Sequence, residues 1–403
     1  MILTKEQSNV VDGIVERYKT NKKYSILCGY AGVGKTVCVK FIVEKLKANF
    51  NIKEEDICYC AYTGKAAQVL LKKGNKNVST IHKLMYKSVL KPDGLFYHKL
   101  VDKIPYKILV IDEISMLPLK MWNQLLTYNI YIIGLGDNFQ LPPISPEEDN
   151  HLLDTPHFFL NQVMRQAQES DIIRISMDIR EGRPLQLGQY NDVMILPKKY
   201  LNTGMLEWAN QIIVATNKTR NEINQKMREL KGYKSKTPQN GDKIICTKNY
   251  HEILSENNYA LMNGTIGYVD NIFETFYSIP ENIYKGDIEK QEVPYFIGNF
   301  TSDYNERFLD ISIEKSLLIN NIPHFTSRQE YYLTSLRKRG KIPPAPLKFE
   351  YGYAITCWKS QGSEWDNVLI IEEKFPYDKI IHQKFLYTAI TRATKKAVII
   401  TKE

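Results

Sequence analysis

Four short apolar runs punctuate the first part of the chain: Ser25-Ile26-Leu27-Cys28, Ile57-Cys58-Tyr59-Cys60-Ala61, Ile108-Leu109-Val110-Ile111 and Tyr131-Ile132-Ile133-Gly134-Leu135. Runs of this length without polar alternation predict strands buried on both faces, the habit of a parallel sheet. Helical stretches, Thr36 to Asn49 and Lys65 to Lys72, lie between them, so strand and helix alternate as in an α/β sheet. A second set of strands is predicted at Gln211-Ile212-Ile213-Val214-Ala215, Asn367-Val368-Leu369-Ile370-Ile371 and Lys396-Ala397-Val398-Ile399-Ile400, which implies a second α/β unit. Between roughly Cys246 and Pro346 the chain turns rich in Tyr, Asn and Thr, with strand-like runs such as Thr265-Ile266-Gly267-Tyr268-Val269; this predicts a small β-rich insertion in the second unit.

A chain of 403 residues has room for about two to four domains, each with its own core. With 43% hydrophobic and 25% charged residues and no run of 18 apolar positions, the composition is globular and predicts no membrane span. The start, Met1-Ile2-Leu3-Thr4-Lys5-Glu6-Gln7, has no signal-peptide pattern and runs into a helical one, so a cytoplasmic protein is expected, in a bacterial or phage-infected cell. Six cysteines, at 28, 38, 58, 60, 246 and 357, show no CxxC pair and no Cys/His spacing suited to zinc; reduced core residues are expected. The net charge of +9 is unevenly spread: Leu71 to Lys107 holds nine lysines against Asp93 and Asp102. That concentration favours a polyanionic partner over a merely solvated face.

Gly29-Tyr30-Ala31-Gly32-Val33-Gly34-Lys35-Thr36 follows a predicted strand and opens a predicted helix, the setting a phosphate loop requires. Its glycines let backbone N–H groups converge on phosphates, Lys35 would reach the β and γ oxygens, and Thr36 would bind Mg2+. Further on, Ile108-Leu109-Val110-Ile111 ends in Asp112-Glu113, two carboxylates at the carboxyl end of a strand. Asp112 is expected to hold Mg2+ through water and Glu113 to polarise the attacking water. Phosphoryl transfer also needs cations against the developing charge; Arg165 and Arg392 are candidates that spacing alone does not select.

Taken in order, these segments resemble the superfamily 1 helicases, and within them the 5′ to 3′ branch (superfamily 1B) of Dda-like and RecD-like enzymes. Ala61-Tyr62-Thr63-Gly64-Lys65-Ala66-Ala67 looks like motif Ia, Ser79-Thr80-Ile81-His82 like motif Ib, and Asp112-Glu113-Ile114-Ser115-Met116 like motif II. Gly136-Asp137-Asn138-Phe139-Gln140-Leu141-Pro142-Pro143 is similar to motif III and Val163-Met164-Arg165-Gln166 to motif IV. Thr356-Cys357-Trp358-Lys359-Ser360-Gln361-Gly362-Ser363-Glu364 is similar to motif V and Tyr387-Thr388-Ala389-Ile390-Thr391-Arg392-Ala393 to motif VI.

The resemblance implies two RecA-like parallel-sheet domains: 1–157 with the phosphate loop and a lysine-rich hairpin insertion at 83–106, then 158–245 with 347–403, interrupted at 246–346 by an SH3-like insertion. It implies ATP contacts from Gln7, Gly29, Ala31, Gly32, Val33, Gly34, Lys35, Thr36, Gln361 and Gly362, catalytic roles for Gln140, Arg165 and Arg392, and ATP with Mg2+ as cofactors. DNA contacts are implied at Thr63, Lys65, His82, Asn217, Thr356, Trp358 and Lys359. The family commonly has Pro at the position of Tyr62, and His or another residue at that of Trp358; Trp358 can stack on a base or lie in the core.

Lys91-Pro92-Asp93-Gly94-Leu95-Phe96-Tyr97 has the Pro-Asp-Gly chemistry of a tight turn and predicts a short hairpin. In the resembled family a hairpin here splits the duplex with an aromatic residue, which would be Phe96 or Tyr97; an ordinary surface hairpin is the alternative. Asn263-Gly264 suits a turn or a DNA contact equally. The expected function is a monomeric ATP-dependent helicase that moves 5′ to 3′ on single-stranded DNA, opens forked duplexes and meets replication or recombination proteins. The rivals are a P-loop phosphotransferase for a small molecule, a translocase that does not unwind, and a DNA-binding subunit with an inert motor.

Overall fold

The apolar runs become the buried strands that their lack of alternation requires. In the computed structural model, which describes residues 3–90, 96–142, 150–164, 169–279, 291–338, 340 and 342–402, the chain begins with β1 (Tyr24–Gly29), β2 (Ile57–Ala61) and β3 (Val78–Thr80). A hairpin of β4 (Tyr86–Leu90) and β5 (Phe96–Leu100) precedes β6 (Ile108–Asp112), β7 (Tyr131–Gly136) and β8 (Phe158–Leu160). Six of these form a parallel sheet in the order β3-β2-β6-β7-β1-β8. All six residues of β7 are buried, as in the middle of a sheet covered on both faces.

Local chemistry sets the flanking helices. Helix α1 (Lys5–Lys19) starts at a capping box, in which the Thr4 hydroxyl accepts from Gln7 N–H and the Gln7 side chain accepts from Thr4 N–H. Helix α2 (Lys35–Phe50) starts from Gly34, whose φ of 84° is left-handed and suits glycine. Val10, Val11 and Ile14 of α1 join Ile42, Val43 and Leu46 of α2 against Leu27 and Ile133 in one core. Helix α3 (Gly64–Lys72) is capped by the Thr63 hydroxyl, which accepts from Ala66 N–H at 3.2 Å.

The chain continues through β9 (Gly188–Gln189), β10 (Val193–Pro197) and β11 (Gln211–Val214). It then forms β12 (Lys243–Cys246), β13 (Tyr250–Leu254), β14 (Ala260–Leu261), β15 (Ile266–Ile279), β16 (Gln291–Ser302), β17 (Arg307–Glu314) and β18 (Phe349–Tyr351), and returns for β19 (Ala354–Thr356), β20 (Trp365–Ile371) and β21 (Ala393–Thr401). A second six-stranded sheet runs β19-β11-β20-β21-β10-β9, with β11, β20, β21 and β10 parallel and β9 antiparallel at its edge. The fold is thus of the expected α/β class.

By contacts the chain divides into two units: Met1–Met85 with Val101–Arg220 and Ile355–Glu403, and Tyr86–Leu100 with Asn221–Ala354. The first unit contains both six-stranded sheets. In the second, β17-β16-β15-β12-β18 form a five-stranded antiparallel sheet over Phe296, Phe300, Phe308 and Phe349. The sheet takes in Lys243–Cys246 and Phe349–Tyr351, and so reaches past the 246–346 read from composition. Asp242, fully buried, receives Arg228 Nε at 3.0 Å and the Tyr353 hydroxyl at 3.1 Å, so its charge is paired and hydrogen-bonded. The β4–β5 hairpin pairs Tyr86 with Leu100 through Leu90 with Phe96; the turn expected at 91–95 lies outside the described residues.

All six cysteines are buried thiols, and burial pushes Cys28 and Cys38 up to about 11, which keeps them protonated at neutral pH. No described helix is long and apolar enough to cross a membrane.

Candidate active site and nucleic-acid face

Topology alone brings the phosphate loop and the acidic pair together. β7 lies between β6 and β1, and the parallel register sets Cys28 beside Gly136 and Ile111 beside Gly134. Gly29, Asp112 and Asp137 therefore leave the sheet along one carboxyl edge, where α/β ligands gather. Ala61 of β2 sits beside Asp112 on the same edge, which brings Tyr62 and Thr63 there too.

Within the loop, Gly32 and Gly34 hold φ of 77° and 84°. The left-handed backbone requires the glycine at 34, and a Cβ there, 2.5 Å from Gln7 Nε2, would also push the Gln7 amide aside. Gln7 is 1% exposed and donates to Val33 O at 3.1 Å, bracing the loop from beneath. Lys35 Nζ donates to Gly29 O and, at 3.0 Å, to Tyr30 O. Thr36 and Asp112 line one open cavity of about 640 Å³ with Lys40, Glu44 and Lys73.

Glu113 follows the strand with φ 50° and ψ 52°, a left-handed conformation that is unusual for a glutamate. Burial pushes its carboxyl above the ordinary value, against the opposing pull of Arg392, with Asp112 adding to the rise. Gln140 Nε2 lies 3.4 Å from Glu113 Oε1, and Gln140 Oε1 is buried with no hydrogen-bond partner among the described residues. A buried orphan acceptor beside a carboxylate suits a site that receives a donor or an ordered water.

Arg392, 5% exposed, comes from the second sheet: its Nη1 is 4.0 Å from Glu113 Oε1, and its Nε donates to Thr388 O at 3.1 Å. Residues of the helix Lys379–Ile390 and of the segment between β19 and β20 reach the same edge. The Tyr387 hydroxyl accepts from Ala31 N–H at 2.9 Å and donates to Asp137 Oδ2 at 2.6 Å. Burial and the Asp137 carboxylate push the Tyr387 phenol well above its ordinary value, so it stays a donor. Thr388 Oγ1 accepts from Leu141 N–H, and Gln361 Nε2 donates to Leu141 O at 2.7 Å. A Cβ on Gly362, at φ 71°, would lie 3.0 Å from Ala66 Cβ. Tyr387 and Asp137 went unassigned in the sequence, because a tyrosine inside an apolar helix reads as core. Arg180, whose guanidinium stands 3.7 Å from the Tyr30 ring centroid, carried no local signal at all. Arg165 lies outside the described residues.

The implied DNA contacts are placed unevenly. The Tyr62 and His82 rings approach to 5.6 Å. Thr356 is buried, Asn217 is exposed at the start of a helix, and Trp358 is half-buried with Nε1 donating to Pro142 O at 3.1 Å, followed by a half-buried Lys359. Lys65 is only 4% exposed and sits 4.6 Å over the Trp365 ring, so here its charge meets an indole instead of facing solvent. Phe96 and Tyr97 lie in β5, opposite Leu90 and Val89.

Beyond β20 the chain is tied down by carboxylates. Glu373 accepts from Ala215 N–H, Thr216 N–H and the Thr216 and Thr219 hydroxyls. Glu372 faces His382 Nε2 at 2.8 Å and Lys402. Burial raises the Glu372 carboxyl, but His382 and Lys402 together outweigh it, and the folded value ends below the ordinary 4.5. A depressed folded value stabilises above the unfolded one and is lost as pH falls through it. Denaturant unfolding should therefore show wild type losing more stability than Glu372→Gln as pH drops below 4.5; equal losses would remove the pairing from the stability balance.

Comparison with known proteins fits this geometry. A family model described as an AAA domain matches residues 2–196, and one described as a UvrD-like helicase C-terminal domain matches 351–400. The chain is 30% identical over 199 residues to the ATP-dependent DNA helicase dda of Enterobacteria phage T4, covering 45% of this chain and 43% of that protein. It is 25% identical over 409 residues to the ATP-dependent RecD2 DNA helicase of Deinococcus radiodurans, covering 97% of this chain and 48% of that one. The chain thus spans under half the length of these two curated relatives. In fold it is similar to the Pif1 helicase of Bacteroides solved with ADP-AlF3 and ssDNA, at a TM-score of 0.54 and 17% identity over 100% of this chain and 93% of that one. The order of motifs along the two sheets agrees with these likenesses: the chain is similar to superfamily 1 helicases of the Dda and RecD kind in sequence, and to a Pif1 helicase in fold.

Proposed function

We propose that the chain is an ATP-driven helicase that moves 5′ to 3′ on single-stranded DNA and opens duplex with the β4–β5 hairpin. The observation that carries this reading is the shared edge. Ala31, Glu113, Asp137 and Leu141, which follow strands of the first sheet, are joined to Tyr387 and Thr388 of the helix Lys379–Ile390 and to Gln361 and Arg392, which lie in the chain between strands of the second. A site divided in this way changes when the two sheets separate, so hydrolysis can be turned into movement along a strand. A P-loop phosphotransferase would leave Arg392, Gln140 and the second sheet without a task.

The chain's own groups suit in-line phosphoryl transfer. The loop's backbone N–H groups and Lys35 bind the phosphates, Glu113 takes the proton of the attacking water, Gln140 orients that water, and Arg392, with Arg165, meets the charge that develops. Thr36 and Asp112, which share a cavity, are the residues that would hold Mg2+, an ion that neutralises phosphate charge when bound. Gln7 reads the base, and Thr63, His82, Asn217 and Trp358 meet the strand. Single-stranded DNA as ligand is supported by the ssDNA bound to Bacteroides Pif1 and by the lysines flanking the hairpin. Phe96 or Tyr97 would press on the base pair at the fork.

Strand displacement on forks with a single 5′ or 3′ tail tests the reading. Unwinding from the 5′ tail alone, with ATPase activity stimulated by single-stranded DNA, is expected. Unwinding from the 3′ tail alone would reverse the polarity, and no unwinding with DNA-stimulated turnover would leave a translocase.

A further inference from the structure

The loop after β20 carries a feature that the family motifs do not cover. Phe375 is 38% and Tyr377 85% exposed, and their rings meet edge to face at 5.8 Å. On the other side, Phe375 lies 6.4 Å from Trp358, at an interplanar angle of 41°. Three aromatic rings thus follow one another from the half-buried Trp358 out to solvent. The loop that carries them is fixed from below: Glu373 is bound by four donors around the start of the helix at Asn217, Pro376 is buried, and the Pro376 carbonyl faces His382 Nδ1 at 3.2 Å. A tyrosine ring held in water on a braced loop is a preformed contact surface, because little freedom is left to lose on binding.

We propose that Phe375 and Tyr377 extend Trp358 into a stacking shelf for the bases of single-stranded DNA. Charge favours this occupant. Lys374 and Lys379 bracket the shelf in the chain, and Lys218 is exposed at the helix start to which Glu373 is anchored. Nearby acids are engaged: Glu373 is saturated with donors, and Asp378 Oδ1 caps the next helix by accepting from Ile381 N–H. Aromatic faces among lysines match a strand of bases and phosphates, and stacking accepts any base, as a motor that must move over every sequence requires. The shelf adjoins Trp358, and its loop is anchored at the helix start that carries Asn217, so a strand passing those two residues continues onto it. This inference rests on the single-stranded DNA reading above.

The test is the affinity of the full chain for a labelled oligothymidylate and for an abasic oligonucleotide of the same length. Tyr377→Ala and Phe375→Ala should weaken oligothymidylate binding by about 5- to 100-fold, the range for one lost stacking partner, and leave abasic binding unchanged. Tyr377→Trp should bind as wild type does. Thermal unfolding of each variant separates loss of the ring from loss of fold, and Tyr377, being so exposed, gives the cleaner comparison. If wild type binds oligothymidylate and the alanine variants match it, or if they lose both ligands equally, the shelf is refuted while the motor reading stands. If wild type binds neither oligonucleotide, both fall together.

Discussion

Arg392→Ala should lower kcat for DNA-stimulated ATP hydrolysis by about 10³- to 10⁵-fold, the range for loss of an arginine that stabilises phosphoryl transfer. The side chain is almost wholly buried, with Nε on Thr388 O, Nη1 near Ser363 O and the same nitrogen 4.0 Å from Glu113 Oε1. It is held by the second sheet and directed at the carboxylate of the first. Loss of an interaction made chiefly in the transition state, as proposed for Arg392, should lower kcat much further than it raises KM. Arg392→Lys should not restore turnover, because an ammonium cannot keep contact with Thr388 O, Ser363 O and the phosphate together as the planar fork does. Steady-state ATPase assays over a range of ATP concentrations check this. A change confined to KM would make Arg392 a binding residue, and wild-type kcat would remove it from the site.

What could be read from the chain divides along a physical line. The strands were legible because burial on both faces leaves contiguous apolar runs, and β2, β6 and β7 begin where those runs begin. The phosphate loop and Asp112-Glu113 were legible because each is a local pattern at a strand end. Contacts made across sequence were not. Ala31 meets Tyr387 and Leu141 meets Thr388 through hundreds of intervening residues, and nothing in either segment announces its partner. Lys65 is another such case: its ammonium stands 4.6 Å over the ring of Trp365, which begins β20 far away in the chain. The five-stranded sheet closes by pairing β12 with β18, which no run of composition marks. Phe375 and Tyr377 sit in a loop, where neither helical nor strand periodicity singles out a residue.

Lys35→Ala should reduce kcat/KM for ATP by about a hundred- to a thousand-fold while DNA affinity stays unchanged. Lys35 opens α2 directly behind Gly34, and its ammonium bonds to the carbonyls of Gly29 and Tyr30. Those carbonyls hold it over the loop whose N–H groups are expected to converge on phosphate, so it needs only a short swing to meet a γ-phosphate. Alanine keeps the helix start, for which it has the higher propensity, and removes the one charge that the loop itself supplies. The loss therefore falls on nucleotide chemistry and not on the fold, which thermal unfolding of the variant verifies. The aromatic and basic groups assigned to DNA lie elsewhere, at Trp358, Asn217 and beyond β20, so oligonucleotide binding measured without ATP should match wild type. Turnover retained in Lys35→Ala would refute the role given to the lysine. Turnover absent already in wild type, with DNA binding intact, would turn the protein into a binding subunit whose two sheets meet without driving anything.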